Sequence, residues 1–227
     1  ETVEKRMEKT GRMIKTGEKR YVVEMERLER LKAWLERGES IRAGQWDDEE
    51  QSLIAELFLL SAKPVIYAAN VSEDDLLGAS AYVQDVKRVA ERSGASTLVI
   101  CAALEAEIAE LSPDEAREFL SELGLSEPGL HRLIRLAYDQ LDLVTFYTVK
   151  GVETRAWAVP RGTLAPQAAG KIHQDMERGF IRAEVVDWES FVRCGSLATA
   201  REQGILRSEG KDYAIQDGDV VLFRFNV

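Results

Sequence analysis

Two short apolar runs set the strongest limit on what this chain can fold into. Pro64-Val65-Ile66-Tyr67-Ala68-Ala69-Asn70 and Thr97-Leu98-Val99-Ile100-Cys101-Ala102 are each bounded by turn or polar residues, with a helical segment at about 76–93 between them. Continuous apolar runs of this length read as parallel strands buried on both faces and joined by a crossover helix. Two such strands are too few for a free-standing doubly wound sheet, so the region reads as half of one. Helices continue after the second run. Ser112-Pro113-Asp114-Glu115 is a capping box with proline at the first helical position, and its helix stops near Gly124. Ser126-Glu127-Pro128 opens another that ends near Asp139.

The flanks differ from this middle. In residues 1–38, Val3, Met7, Thr10 and Ile14, then Tyr21, Met25, Leu28, Leu31 and Leu35, recur at helical spacing. Gly17 separates the two stripes and Gly38 ends the second. An antiparallel helical hairpin follows, each helix hiding its stripe against the other. Residues 39–62 read as a connector and a helix whose first turn is loaded by Asp47, Asp48 and Glu49, with Leu53, Ile54, Leu57 and Leu60 on its buried face. Residues 144–227 hold short strands at about 143–149, 154–158, 180–186, 212–216 and 220–225, with a helix near 165–178 and helical turns near 188–193 and 197–203. A small sheet crossed by one helix is the β-grasp, or ubiquitin-like, arrangement. The expected fold is therefore α/β plus α+β. Its expected divisions are a hairpin arm at 1–45, half of a nucleotide-binding domain at 46–143 and a β-grasp domain at 144–227.

Charge is uneven along the chain. The net charge is −10, yet residues 144–227 carry eleven basic and eleven acidic side chains. Residues 1–143 therefore hold the whole deficit, nineteen basic against twenty-nine acidic. An acidic body repels nucleic-acid phosphates, which leaves the neutral tail as the place for an RNA contact. No apolar run approaches the roughly 20 residues that span a bilayer, and no signal peptide is evident. Cys101 and Cys194 have no metal-ligand spacing and read as reduced, buried thiols. With only His131 and His173, neither a zinc site nor a histidine-based triad is expected, and no metal ligand is assigned.

Chemistry is expected at the strand ends, because α/β sheets bind ligands beyond their carboxyl edges. Asn70-Val71-Ser72-Glu73 follows the first run, and an asparagine amide there can donate and accept toward a purine edge. The competing reading makes Ser72 a helix cap before Glu73-Asp74-Asp75. Cys101-Ala102-Ala103-Leu104-Glu105 follows the second run. In the tail, Arg155, Arg161, Lys171, Arg178 and Arg182 accompany Trp157, His173 and Phe180, a mixture able to hold a backbone and stack on bases. The competing reading places Trp157 and Phe180 in the core. Lys171 follows Gly170 but lacks the rest of a phosphate-binding loop.

The stretches T-R-A-W-A-V-P-R-G-T-L-A-P-Q-A-A-G-K-I-H-Q-D-M-E-R-G-F-I-R-A-E (Thr154–Glu184) and K-D-Y-A-I-Q-D-G-D-V-V-L-F-R-F-N-V (Lys211–Val227) resemble the TGS module of the YchF/Obg-like ATPases, in the TRAFAC class of P-loop GTPases. The resemblance runs along the whole chain but only to the later part of the family's polypeptide. It implies that Asn70 and Glu73 match the family's Asn-x-x-Glu form of the GTPase Asn-Lys-x-Asp motif, which loosens guanine specificity and admits ATP as well as GTP. It implies that Asn70, Val71, Glu73, Ala102 and Ala103 line the base, with Cys101 standing where the family has serine. It further implies a cytoplasmic, ribosome-associated switch in contact with ribosomal RNA, expected here as a monomer. The intact family protein would hydrolyse ATP or GTP, with Mg²⁺ held mainly by an upstream portion. This chain has no phosphate-binding loop, carries no catalytic residue and is expected to be inactive alone. The alternative is a non-catalytic ribosome- or RNA-binding module of β-grasp type.

Overall fold

A computed structural model describes residues 1–150 and 153–226. By its internal contacts the chain divides into two compact units, Glu1–Leu136 and Ala137–Val227.

The first unit opens with α1 (Thr2–Ile14) and α2 (Lys19–Glu36). They are joined through Gly17, whose φ of +83° lies in the left-handed region. The expected hairpin forms, but its stripes are not closed by the pair alone. Val3, Leu28 and Leu31 share one cluster with Ile41 and with Leu53, Ile54 and Leu57 of α3 (Asp48–Leu57). Thr10 lies in the expected apolar stripe and is buried, yet its hydroxyl donates to Glu24 Oε1 at 2.8 Å, beside Arg6 Nε at 2.6 Å. Burial pushes the Glu24 carboxyl up, but the bonds from Arg6 and Thr10 outweigh it and hold it below the usual range. The acidic start of α3 is a full capping box between Asp47 and Glu50.

Next come β1 (Ile66–Asn70), α4 (Ala81–Arg92) and β2 (Ser96–Ile100). The two strands pair in parallel, Ile66 opposite Ser96 through Asn70 opposite Ile100, with α4 as the crossover. α5 (Ala102–Glu110), α6 (Pro113–Glu122) and α7 (Gly129–Gln140) follow; the last turn of α7 belongs to the second unit.

The second unit is built on β3 (Leu143–Lys150), β4 (Glu153–Pro160), α8 (Ala165–Ile172), α9 (Gln174–Arg178), β5 (Phe180–Asp187), α10 (Trp188–Cys194), α11 (Leu197–Glu202), β6 (Arg207–Glu209) and β7 (Asp219–Phe225). Its five strands lie in the order β4-β3-β7-β5-β6. The β3–β7 pair is parallel and the others are antiparallel. One face packs Phe146, Ala183, Val185, Val221 and Phe223 with Ala165, Ala168 and Ala169 of α8. On the other face Val186 and Val220 cluster with Ala200 of α11, and Phe191, Cys194 and Leu197 pack around them.

Two details depart from expectation. The helix foreseen near 165–178 breaks at His173, which adopts φ −159° and ψ 140° and caps α9 by accepting the Asp175 N–H at its ring nitrogen. The strand foreseen at 212–216 is only an isolated bridge between Ala214 and Leu164, and the edge strand is β6. Two backbone bonds, Ala165 N to Tyr213 O at 2.8 Å and Ile215 N to Thr163 O at 3.0 Å, anchor the 212–216 segment around that bridge.

Candidate functional site

The parallel pairing brings both strand tips to one edge. Val71 N donates to Ile100 O at 2.9 Å, extending the ladder one residue past β1. The Asn70 side chain reaches across to α5, where its Oδ1 accepts the Ala102 N–H at 3.0 Å. Because Ala102 offers only a donor, the oxygen must face it, and the orientation of the amide is fixed. The Asn70 Nδ2 therefore points elsewhere and has no hydrogen-bond partner among the described residues. Asn70 is exposed.

This contact also explains how α5 begins. Cys101 stands at its N-cap position, buried and with no side-chain cap, where Asn70 satisfies the first helical N–H instead. A cleft of about 370 Å³ opens at the tips, lined by Asn70, Val71, Ser72, Glu73, Asp74, Cys101 and Ala103. Ala103 lines it; Ala102 is exposed but serves through its backbone as the anchor for Asn70. Glu73 is exposed in a single 3-10 turn, Glu73–Asp75.

Ser72 does not cap through its side chain. The cap of α4 is Ser80, eight positions further on, with Oγ accepting the Val83 N–H. Between them the loop is tied down by Asp75. Its carboxylate accepts from Ala79 N at 2.7 Å and Ser80 N at 3.1 Å, and hydrogen bonding by Ser80 and then Ala79 holds it below the usual range. Glu105, the last residue of the second motif, is turned away from the cleft. It accepts from Gly129 N at 2.6 Å and Leu130 N at 3.2 Å, neutralising the start of α7. The site can thus present one oriented amide donor, a short apolar wall and an exposed carboxylate to a flat polar ligand edge.

Comparison with known proteins locates the chain. Residues 143–226 match the family described as YchF-GTPase_C, "Protein of unknown function (DUF933)". Over all of its length the chain is 44% identical to the Ribosome-binding ATPase YchF of Bacillus subtilis (strain 168), of which it covers 63%. It is 43% identical to the protein of the same name from Escherichia coli O157:H7, covering 100% of this chain and 62% of that one. The structure of the Schizosaccharomyces pombe YchF GTPase matches with a TM-score of 0.85 at 30% identity, over 98% of this chain and 61% of that one. These matches support the YchF/Obg-like P-loop GTPase family, to whose C-terminal portion the chain is similar. It spans just under two thirds of the length of these relatives and corresponds to the C-terminal portion of the family.

The basic residues picked out in the YchF-like tail are scattered. Arg155 on β4 pairs with Glu153 at 2.7 Å, Arg161 with Asp142 at 2.9 Å, and Arg182 on β5 with Glu184 at 3.1 Å. Lys171 on α8 and Arg178 on α9 are exposed and have no ion-pair partner among the described residues. Of the accompanying rings, Phe180 is in the core, Trp157 is half-buried against it and His173 is exposed. Trp157 stacks on Phe146 with centroids 6.5 Å apart and donates to Thr148 Oγ1, and Phe180 is buried beside Phe223. Phe180 is not free to stack on a base, and Trp157 is already engaged by Phe146 and Thr148. Sequence reasoning missed Arg201 and Arg224, which join Arg182 around Glu184. They come from α11 and β7, and no local spacing links them.

Proposed function

We propose that this chain supplies the base-recognising half of the nucleotide site of a ribosome-associated P-loop NTPase. The observation that carries the proposal is the Asn70 amide. It bridges the tip of β1 to the start of α5 and leaves its nitrogen directed away at an exposed cleft. In this reading Asn70 Nδ2 donates to a purine ring nitrogen. Val71 and Ala103 flank the ring, the Ala102 N–H positions Asn70, and Glu73 takes the place of the carboxylate that selects guanine in Asn-Lys-x-Asp proteins. Glutamate carries one more methylene, so its carboxylate sits off the guanine edge and ATP is accepted alongside GTP.

The phosphates and their Mg²⁺ are assigned to polypeptide upstream of residue 1. Among the described residues no group of three or more His, Cys, Asp or Glu could hold a metal ion. Mg²⁺, when bound, would neutralise charge on the phosphates. Hydrolysis is assigned to the longer protein, and this chain alone is proposed to be inactive. Residues 1–45 are proposed as an arm, 46–143 as the second half of the nucleotide-binding domain, and 144–227 as a TGS domain of β-grasp form. The five-stranded sheet with α8 across one face supports the last assignment. Relatives named ribosome-binding ATPases support a ribosomal partner, and with it a cytoplasmic setting. A monomeric state is proposed alongside.

The test is Asn70→Ala in the polypeptide extended upstream to include a phosphate-binding loop. Losing the base contact and the tie between strand tips should weaken ATP binding by about tenfold or more, on the order of 1.5–3 kcal/mol. Titration calorimetry with ATP and GTP would read it. Unchanged affinity for both nucleotides removes the strand tips from the site.

A further inference from the structure

On the sheet face away from α8 and α9, Arg182 of β5 and Arg224 of β7 stand directly opposite each other in the antiparallel ladder. Like charges so placed repel, and selection for stability alone would not choose them. Between them and α11 sits Glu184. Its carboxylate accepts from Arg182 at 3.1 Å, Arg224 at 3.1 Å and Arg201 at 2.6 Å. The glutamate side chain is only 8% exposed, whereas the three arginines are 48%, 43% and 58% exposed. Burial pushes the Glu184 carboxyl up, but the hydrogen bonds from Arg224 and Arg182 outweigh that and keep it below the usual range.

One carboxylate neutralises one guanidinium, so this group of four carries two uncompensated positive charges. Each arginine meets Glu184 through a single terminal nitrogen and has no other side-chain acceptor among the described residues. A guanidinium has five N–H donors in a rigid fork suited to phosphate. Three half-exposed forks are thus held in place by a buried anchor and left with donors to spare. They lie in the stretch 144–227, which is neutral overall while the rest of the chain is acidic, so a polyanion meets least repulsion here.

We propose that Arg182, Arg201 and Arg224, organised by Glu184, form a binding site for the phosphate backbone of RNA. This rests on the ribosomal partner proposed above and names the surface that meets it. Glu184 is a positioning residue; the arginines make the contacts.

The experiment compares the wild-type chain with the variant R182Q/E184Q/R201Q/R224Q, which removes the excess charge without leaving a buried carboxylate unpaired. Binding of fluorescein-labelled oligouridylate is followed by anisotropy across a salt series, and co-sedimentation with purified ribosomes is measured in parallel. The variant should bind RNA about tenfold more weakly, with a salt slope shallower by about 1 to 2, as expected for two or three lost phosphate contacts. Ribosome sedimentation by the wild type that persists unchanged in the variant overturns the arginine site and leaves the ribosomal partner standing. Failure of the wild type to sediment overturns both. Should the variant not fold, arginine Nε–Hε resonances of the wild type decide. Shifts of these three on adding oligouridylate support the site, and their absence overturns it.

Discussion

The two units solve the same problem with different success. The second buries twelve residues in one cluster between its sheet and α8, and the opposite sheet face is partly covered by α10 and α11. The first has a sheet of two strands, and large apolar side chains near it stay in solvent: Phe58 and Leu60 are 81% exposed, Leu77 84% and Tyr82 85%. Each such side chain forgoes about 1.5–3 kcal/mol of burial. A parallel sheet needs cover on both faces and more than two strands to provide it. The units therefore differ in self-sufficiency. The difference coincides with their proposed roles, since the exposed edge beside β1 is where the missing half of a nucleotide site would be completed.

Separating the units should break the comparison most dramatically if it is wrong. Residues 137–227 expressed alone should unfold in one cooperative thermal transition. Residues 1–136 alone should bind a hydrophobic dye and lack a sharp transition in calorimetry. A cooperative, dye-free first unit would show that its exposed apolar groups cost it little. Within the intact chain, Phe146→Ala should destabilise the second unit by about 3–5 kcal/mol, because its ring is fully buried between Trp157 and Phe223. Leu98→Ala in β2 should cost the first unit nearer 2 kcal/mol, the low end for such truncations, because its half-exposed neighbours can collapse inward. Equal losses in urea denaturation would erase the contrast.

Acid sharpens it. Glu24 in the first unit and Glu184 in the second both have folded pKa values below their ordinary ones. Each therefore contributes stability that is present above the unfolded value of about 4.3 and lost as pH falls through the folded value. In the second unit Asp219 opposes this. Burial raises it despite the bonds from Gln216 N and Tyr213, and burial likewise lifts the Tyr213 hydroxyl to about 12. A raised carboxyl favours the folded state below its unfolded pKa and loses that contribution as pH rises through the folded one. Acid should consequently weaken the first unit more. Glu24→Gln should flatten the acid limb of the first unit, and Glu184→Gln should flatten that of the second, where Asp219 already offsets part of the loss. Denaturation between about pH 5 and pH 2 would show similar acid limbs in the two units if Asp219 is ordinary.

What could be read in advance follows the range of the interactions involved. The stripes of α1 and α2, the capping boxes of α3 and α6, and the strands Ile66–Asn70 and Ser96–Ile100 are local patterns, and each was legible within a few residues of sequence. The break at His173 was not, because Ile172 and Met176 pack on the same core either side of it and their spacing still looks helical. The competing reading of Ser72 as a helix cap fails for a reason that lies beyond local pattern: both Ser72 and Ser80 precede plausible helix starts, and the Asp75 loop between them leaves the cap of α4 to Ser80. Of the candidate site, Asn70 is placed by a strand end that local pattern reveals, whereas Ala103 enters only through the family resemblance. The bond from Ala102 N to Asn70 and the convergence of Arg201 and Arg224 on Glu184 join distant segments, which no spacing rule reaches.

The smallest expected effect tests whether the first unit's weakness lies in its sheet or already in its hairpin. Gly17 has φ of +83° and open space around its α-carbon, so a side chain there meets no neighbour. Gly17→Ala should therefore cost only the strain of a left-handed backbone, about 1 kcal/mol. Gly17→Asn should recover part of that, because asparagine tolerates this conformation. Both losses should appear in the urea midpoint of the first unit and leave the second unchanged. A loss well above this for alanine would mean that the turn sets the packing of Val3 against Leu28 and Leu31, and that the hairpin is as marginal as the two strands beside it.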